Sequence, residues 1–186
     1  DWTRRQHSLQ APHACAPAVW QQFAAMGWLG LVVPPEHGGS GLGLFEAGLL
    51  LRAFGRHLVV EPYAATALLV APLLAQRGTA AQRSRWLPHL LDGSRRAAWA
   101  HEEHAAPLPG TPRGSQACRL PGGWRLDGSK QLVPAAAGAD LLLVTARTGD
   151  GHRIFVLEPG TPGLQITPAR TADGTWAADL RFDGLL

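Results

Sequence analysis

Near residue 95 the apolar residues change their spacing, and this limits the chain to a helical part followed by a sheet part. Before that point apolar side chains recur every three or four residues, the period of one helix face. Residues 17–26 carry Val19, Trp20, Phe23 and Met26 and predict a helix that ends at the Gly27–Gly30 region. From Leu44 to about Leu58, Ala47, Leu50, Leu51, Phe54 and Leu58 fall on one face. Pro62 suits the first position of a further helix that carries Leu68, Leu69 and Leu73 and stops near Gly78. Thr79 followed by Gln82 is a capping-box pair, opening a helix with Trp86, Leu87, Leu90 and Leu91 that stops at Gly93. Pro72 and Pro88 lie inside these segments, where a missing N–H should bend or split the helix.

Beyond residue 95 the period becomes two. Candidate strands are 96–102, 115–120, 123–126, 130–134, 141–147, 153–157, 164–169 and 176–182, separated by Gly, Pro and Asp turn chemistry such as Asp127-Gly128 and Gly149-Asp150-Gly151. Short links without intervening helices argue for an antiparallel barrel or sandwich. The expected class is therefore α+β, with a helical domain at 1–95 and a β domain at 96–186.

The 186 residues are enough for one large domain or two small ones, and 46% apolar against 17% charged content makes them globular material. The net charge of +3 is spread along the chain and forms no basic stripe, which argues against nucleic-acid binding. Cys15 and Cys118 match no metal spacing and read as free thiols of a reducing compartment. No stretch approaches the ~20 apolar residues of a membrane span. The opening residues show no signal-peptide pattern, so the expected location is cytoplasmic.

Three segments invite chemistry. Gly39-Ser40-Gly41-Leu42-Gly43, with Glu61 twenty residues after Gly41, imitates a dinucleotide fingerprint. That motif needs a tight strand-to-helix turn, and Pro34-Pro35-Glu36-His37 stands in its place, so a Gly-rich bend between helices is the simpler reading. His101-Glu102-Glu103-His104 gathers four potential metal ligands, but at a strand end alternation sends His101 and Glu103 one way and Glu102 and His104 the other. Gly128-Ser129-Lys130 leads into Gln131-Leu132-Val133-Pro134, and Lys130 is the only lysine. Trp28, Trp86, Trp124 and Trp176 read as packing rather than as a stacking platform for bases.

Taken in order, the 26–42 segment with its Val33-Pro34-Pro35-Glu36-His37-Gly38-Gly39 core, the Gly123–Lys130 segment and the Ala139–Arg147 run resemble the helical N-terminal and middle β domains of the acyl-CoA dehydrogenase family. The resemblance covers nearly the whole chain. It implies FAD as cofactor and α,β-dehydrogenation of an acyl thioester, in which a carboxylate removes the α proton and the flavin accepts the β hydride. That carboxylate belongs to a C-terminal helical domain, which the resemblance leaves outside this chain, so no catalytic residue is named here. Loss of those helices predicts an exposed apolar face. The implied partners are an acyl-CoA or acyl-carrier thioester, related subunits in a homo- or hetero-oligomer, and an electron-transfer flavoprotein.

By the same resemblance, flavin contacts fall on Trp99, His101 and Glu102 at one strand end and on Leu132, Val133 and Pro134 at another. The family's hydroxyl residue is replaced by His101. Its Gly-rich loop with Ser and Asp is replaced by 105–111, and its aromatic residue and threonine by Leu132 and Pro134. Divergent members that act on steroid side-chain thioesters, or that work as paired unlike subunits, share a Lys-x-x-Val-Pro run. Three readings follow: a subunit whose chemistry is completed from outside this chain, a non-catalytic partner subunit, or a flavoenzyme acting on carrier-protein thioesters.

Overall fold

The computed structural model describes residues 2–103 and 114–186. His104 and the 105–111 loop therefore lie outside the described residues. The chain divides into two compact units, Asp1–Arg96 and Ala97–Leu186.

The first unit is helical: α1 (Trp2–Gln10), α2 (Pro17–Ala25), α3 (Leu44–Arg56), α4 (Ala71–Arg77) and α5 (Ala80–Leu91). Of these, α1 has no counterpart in the apolar pattern, because Trp2 and Leu9 are its only apolar residues and it buries only Ser8. Helix α2 buries Trp20 and Phe23 and stops where Gly27 turns left-handed (φ 71°), leaving Met26 half exposed. The capping box at α5 closes in both directions: Thr79 N–H donates to Gln82 Oε1 at 2.9 Å and Gln82 N–H to Thr79 Oγ1 at 3.2 Å. A second N-terminal bond, Gly43 N–H to Glu46 Oε2 at 2.8 Å, starts α3.

The two prolines behave differently. Ahead of Pro72 the chain forms a π-helical stretch, Ala64–Val70, and the Ala71 N–H reaches back five residues to Thr66 O. The wider turn absorbs the donor that Pro72 lacks, so the helix is re-registered rather than cut. Pro88 was also expected to disturb its helix, yet α5 continues through it, with the Asp92 N–H still bonded to Pro88 O at 2.9 Å.

The core of this unit is a cluster of rings. Phe23 stacks on Phe54 with centroids 4.9 Å apart, and Tyr63 meets Phe54 edge-on at 5.1 Å. Trp20 and Trp28 lie 6.1 and 5.3 Å from Phe23. Tyr63 donates its hydroxyl to Trp28 O at 3.0 Å, and burial pushes that hydroxyl up to about 12. On α3 only Ala47 and Phe54 are buried, while Leu51 and Leu58, expected on the same face, are 40% exposed. Leu44, Phe45 and Leu49 of the same helix are 81%, 74% and 51% exposed, an open apolar surface.

The Gly-rich segment is a bend. Ser40, Gly41 and Leu42 donate their N–H groups to Gly30, Val33 and Leu31 carbonyls at 2.9–3.0 Å, so they offer no cradle for phosphate. Gly39 is required there, since a Cβ would sit 2.0 Å from Val33 O.

The second unit is one seven-stranded sheet: β1 (Ala97–Ala100), β2 (Gln116–Leu120), β3 (Gly123–Pro134), β4 (Leu141–Thr148), β5 (Gly151–Leu157), β6 (Leu164–Arg170) and β7 (Trp176–Leu185). The order is β1-β4-β2-β3-β7-β6, with β5 against β4. The sheet is curled and mixed rather than wholly antiparallel, because β4 runs parallel to β1 and touches β2 in parallel. Small and branched side chains fill its core, including Ala98, Ala100, Val133, Val144, Ala178 and Leu180.

Asp127-Gly128 is no turn, and the two strands expected around it are one continuous β3. Gly128, at φ 134°, instead lets Ser115 approach, since a Cβ would come within 2.6 Å of the Ser115 Cα. The β3–β7 ladder carries two bulges of opposite sense. Between Lys130↔Leu180 and Val133↔Ala178 the extra residue is on β3; between Leu126↔Leu185 and Gly128↔Phe182 it is on β7. Each bulge sets one residue left-handed, Leu132 (φ 46°) and Gly184 (φ 57°). Each of those N–H groups is taken by an aspartate of the opposite strand, Leu132 N–H by Asp179 at 2.8 Å and Gly184 N–H by Asp127 at 2.9 Å.

Candidate functional site

The strand ends singled out in the sequence, 99–103 and 130–134, meet within the second unit. Parallel pairing sets Ala100 opposite Val144, so the chain leaving β1 runs beside Thr145. There Gln131 N–H donates to Glu102 O at 3.0 Å and joins the two segments.

At the junction lies a buried ion pair. Lys130 Nζ, fully buried, donates to Glu103 Oε1 at 2.7 Å, His101 O at 3.0 Å and Thr145 Oγ1 at 3.2 Å. An ammonium has three protons, and all three are used. Glu103, 5% exposed, also accepts Ser115 N–H at 3.0 Å and Gly114 N–H at 2.6 Å. Burial alone would raise the Glu103 carboxyl, but bonds from Lys130, Gly114 and Ser115 outweigh it and hold it at about 2. Burial pulls Lys130 below the usual lysine range against the opposing pull of Glu103. Ser115 Oγ in turn donates to Ser129 O at 3.1 Å. With every charge and hydroxyl engaged, this cluster is a clamp rather than a reactive centre.

His101 and Glu103 turn to the clamp and Glu102 to solvent, the alternation expected of a strand end. His101 Nδ1 lies 2.9 Å from Thr145 Oγ1, and its ring stacks on Trp99 at 5.6 Å and 11°. Glu103, one of the four residues that suggested metal binding, spends both carboxylate oxygens on the clamp. Leu132 stands out from the bulge, 52% exposed, and Pro134 is exposed at the end of β3. Val133 turns into the core, and the whole residue is only 2% exposed. Trp99 with His101, and Leu132 with Pro134, thus form two separate small apolar surfaces.

Thr145, Ser115 and Asp179 carry no mark in the sequence, and Glu103 stands out there only as a potential metal ligand, not as the partner of Lys130. The available signal was Lys130 itself: a sole lysine on an apolar strand needs a buried partner, and period-two counting from His101 points to Glu103.

The comparisons agree along the whole length. Residues 3–94 match the profile described as "Acyl-CoA dehydrogenase, N-terminal domain". Acyl-CoA dehydrogenase FadE28 of Mycobacterium tuberculosis is 36% identical over 167 residues, covering 89% of this chain and 46% of the relative. A variant of the Tcur3481–Tcur3483 steroid ACAD superposes on all of this chain and 50% of its own, with a TM-score of 0.90 and 34% identity. The ChsE4–ChsE5 complex from Mycobacterium tuberculosis does so over 98% of this chain and 49% of its own, with a TM-score of 0.88 and 25% identity. The chain therefore spans about half the length of the relatives it matches. With a helical half that fits the family profile and a sheet half that follows the same solved chains to its end, this chain belongs to the acyl-CoA dehydrogenase family.

Proposed function

We propose that this chain supplies one wall of an FAD-dependent enzyme that removes two hydrogens from the α and β carbons of an acyl-CoA thioester. The observation that carries the reading is the 36% identity to a named acyl-CoA dehydrogenase across 89% of the chain. FAD, when bound, supplies the hydride acceptor. The catalytic carboxylate and the rest of the pocket are contributed from outside these residues.

The candidate residues suit a flat ring as an apolar platform. Trp99 and His101 offer a stacked pair and Leu132 an exposed apolar side chain beside Pro134. Their backbone donors are scarce, however. Gln131 and Leu132 N–H groups are already bonded, and Pro134 has none. Trp99, His101, Leu132 and Pro134 therefore hold the ring by contact, Glu102 borders it, Val133 packs behind them in the core, and the Lys130–Glu103 clamp keeps the two strand ends in register. A dry wall of this kind strengthens the pairing of base and hydride acceptor across the cleft.

The shortage of donors favours a second reading, in which the chain is the partner subunit of a heteromeric enzyme and binds no flavin itself. Its likeness to the ChsE4–ChsE5 complex suits that reading. A steroid or fatty acyl chain is the proposed substrate, with carrier-bound thioesters as the alternative and an electron-transfer flavoprotein as the acceptor. Free Cys15 and Cys118 suit the cytoplasmic location we propose. Among the described residues no helix is long and apolar enough to cross a membrane.

The deciding experiment joins the chain to a polypeptide supplying the missing half of a relative's length, then records flavin absorbance and turnover of acyl-CoA and carrier-bound thioesters. Flavin bound per copy of this chain, with CoA-thioester turnover, is expected. Turnover with flavin only on the companion chain supports the partner-subunit reading. A pair that neither binds flavin nor oxidises any thioester refutes both.

A further inference from the structure

The sheet unit has a concavity that the dehydrogenase reading leaves without a role. A groove of about 480 Å³ crosses β3, β7 and β6, walled by Ser129, Gln165, Thr167, Asp179 and Arg181 among others. These five residues are all exposed. The two bulges of the β3–β7 ladder lie on either side of this stretch and bend it. Alternation sets Asp179 and Arg181 outward around Leu180, which is 1% exposed and belongs to the core. Pairing then fixes two rows. Arg181 stands between Ser129 of β3 and Gln165 of β6, and Asp179 stands opposite Thr167.

The two charges of the groove are not spent on each other. Asp179 accepts the Leu132 N–H on Oδ1 at 2.8 Å, and among the described residues its Oδ2 makes no bond. Among the same residues the Arg181 side chain has no hydrogen bond and no ion pair, so its fork of five donors is open. Lys130, also in the wall, brings no free charge, because its ammonium is filled by Glu103, His101 and Thr145. Residues two apart on a strand face the same way, about 7 Å from each other. An open guanidinium and a half-used carboxylate at that spacing, with two hydroxyls and an amide around them, complement a ligand that carries both charges. A simple anion would meet Asp179, and a simple cation would meet Arg181.

We propose that this groove binds a small zwitterion, a free amino acid, whose carboxylate takes the Arg181 fork and whose ammonium takes Asp179. The groove adjoins the bulge at Leu132 but includes no residue of the proposed flavin platform, so the site does not depend on the proposed dehydrogenation.

The test uses the full chain, labelled with ¹⁵N and without flavin. Backbone amide signals are followed while glycine is titrated in, with acetate, methylammonium and sodium chloride as separate arms at matched ionic strength. The expected result is a saturable shift with glycine, confined to residues 129–131, 165–167 and 179–181, and binding of acetate and of methylammonium at least tenfold weaker. Arg181→Gln and Asp179→Asn should each weaken glycine binding at least tenfold. The second keeps an oxygen for the Leu132 N–H and loses only the charge. Both positions are exposed, so neither variant should unfold the sheet, and the same spectra verify this. Arg153→Gln, on β5 and outside the groove, should leave the binding unchanged. The proposal is overturned if the signals move no more with glycine than with sodium chloride, if acetate or methylammonium binds as tightly as glycine, or if the Arg181 and Asp179 variants bind glycine like the parent.

Discussion

The two units are held together by different means. The helical unit buries rings: Phe23, Phe54, Trp20, Trp28 and Tyr63 touch face to face or edge to face, and one hydroxyl bond, Tyr63 to Trp28 O, is their main polar constraint. The sheet unit buries small aliphatic side chains and fixes its strand ends with a charge pair, Lys130–Glu103, whose hydrogen-bonding capacity is filled. Apolar packing responds to volume and is indifferent to partner identity, whereas a buried charge responds to the loss of one partner far more than to the loss of both. The candidate site lies on the second kind of structure, where geometry is set by directional bonds.

The largest effect should come from the ring cluster. Phe23→Ala removes the side chain that contacts Trp20, Trp28, Phe54 and Tyr63, and should cost about 3–5 kcal/mol by urea denaturation. Phe23→Leu, which refills most of the volume, should recover more than half. An equal loss in both variants would mean that ring geometry, not volume, holds the unit. In the sheet unit, Glu103→Ala strands a buried ammonium and should cost about 3 kcal/mol, while Glu103→Leu with Lys130→Met should lie close to the parent. A double variant as unstable as the single one would erase the contrast between the units.

A smaller effect follows from acidity. The Glu103 carboxyl lies at about 2 in the folded chain against an ordinary 4.5, so the folded state holds its proton less tightly than the unfolded state. Its contribution is therefore complete above pH 4.5 and is lost as the pH falls toward about 2, by on the order of 2 kcal/mol. Unfolding free energies across that window should fall more steeply for the parent and for Phe23→Ala than for Glu103→Gln. Equal slopes would place the pH sensitivity elsewhere.

The same contrast explains what could be read from the sequence. Helical period and end signals located α2, α3 and α5, and Thr79 with Gln82 specified a cap down to its two bonds. Helix α1 left no trace because Trp2–Gln10 has almost no apolar stripe, and the re-registration before Pro72 is a tertiary compromise that local propensity does not encode. In the sheet unit alternation located the strands, but Asp127-Gly128 carries the chemistry of a turn while serving a close approach to Ser115. The parallel β1–β4 pairing depends on contacts more than forty residues apart, beyond the reach of any periodicity. At the candidate site the strand ends were legible, and the side chains that join them were not, because Glu103, Ser115, Thr145 and Asp179 become partners only after the strands pair.

Leu132 tests whether the bulge serves stability or the cofactor. A leucine at φ 46° is strained by roughly 1 kcal/mol, and Asp179 holds its N–H in place at 2.8 Å. Leu132→Gly removes that strain and adds about as much unfolded-state freedom, so stability should change by less than about 1 kcal/mol. It also removes the exposed apolar side chain that the proposed flavin would rest on. Asp179→Ala does the reverse: it keeps the leucine but frees the N–H, and should cost about 1 kcal/mol. With the completing polypeptide present, flavin affinity should therefore fall in Leu132→Gly without a matching fall in stability, and in Asp179→Ala the two should fall together. Flavin bound equally well by parent and Leu132→Gly would mean that the bulge shapes the sheet alone, and would move the cofactor platform to Trp99 and His101.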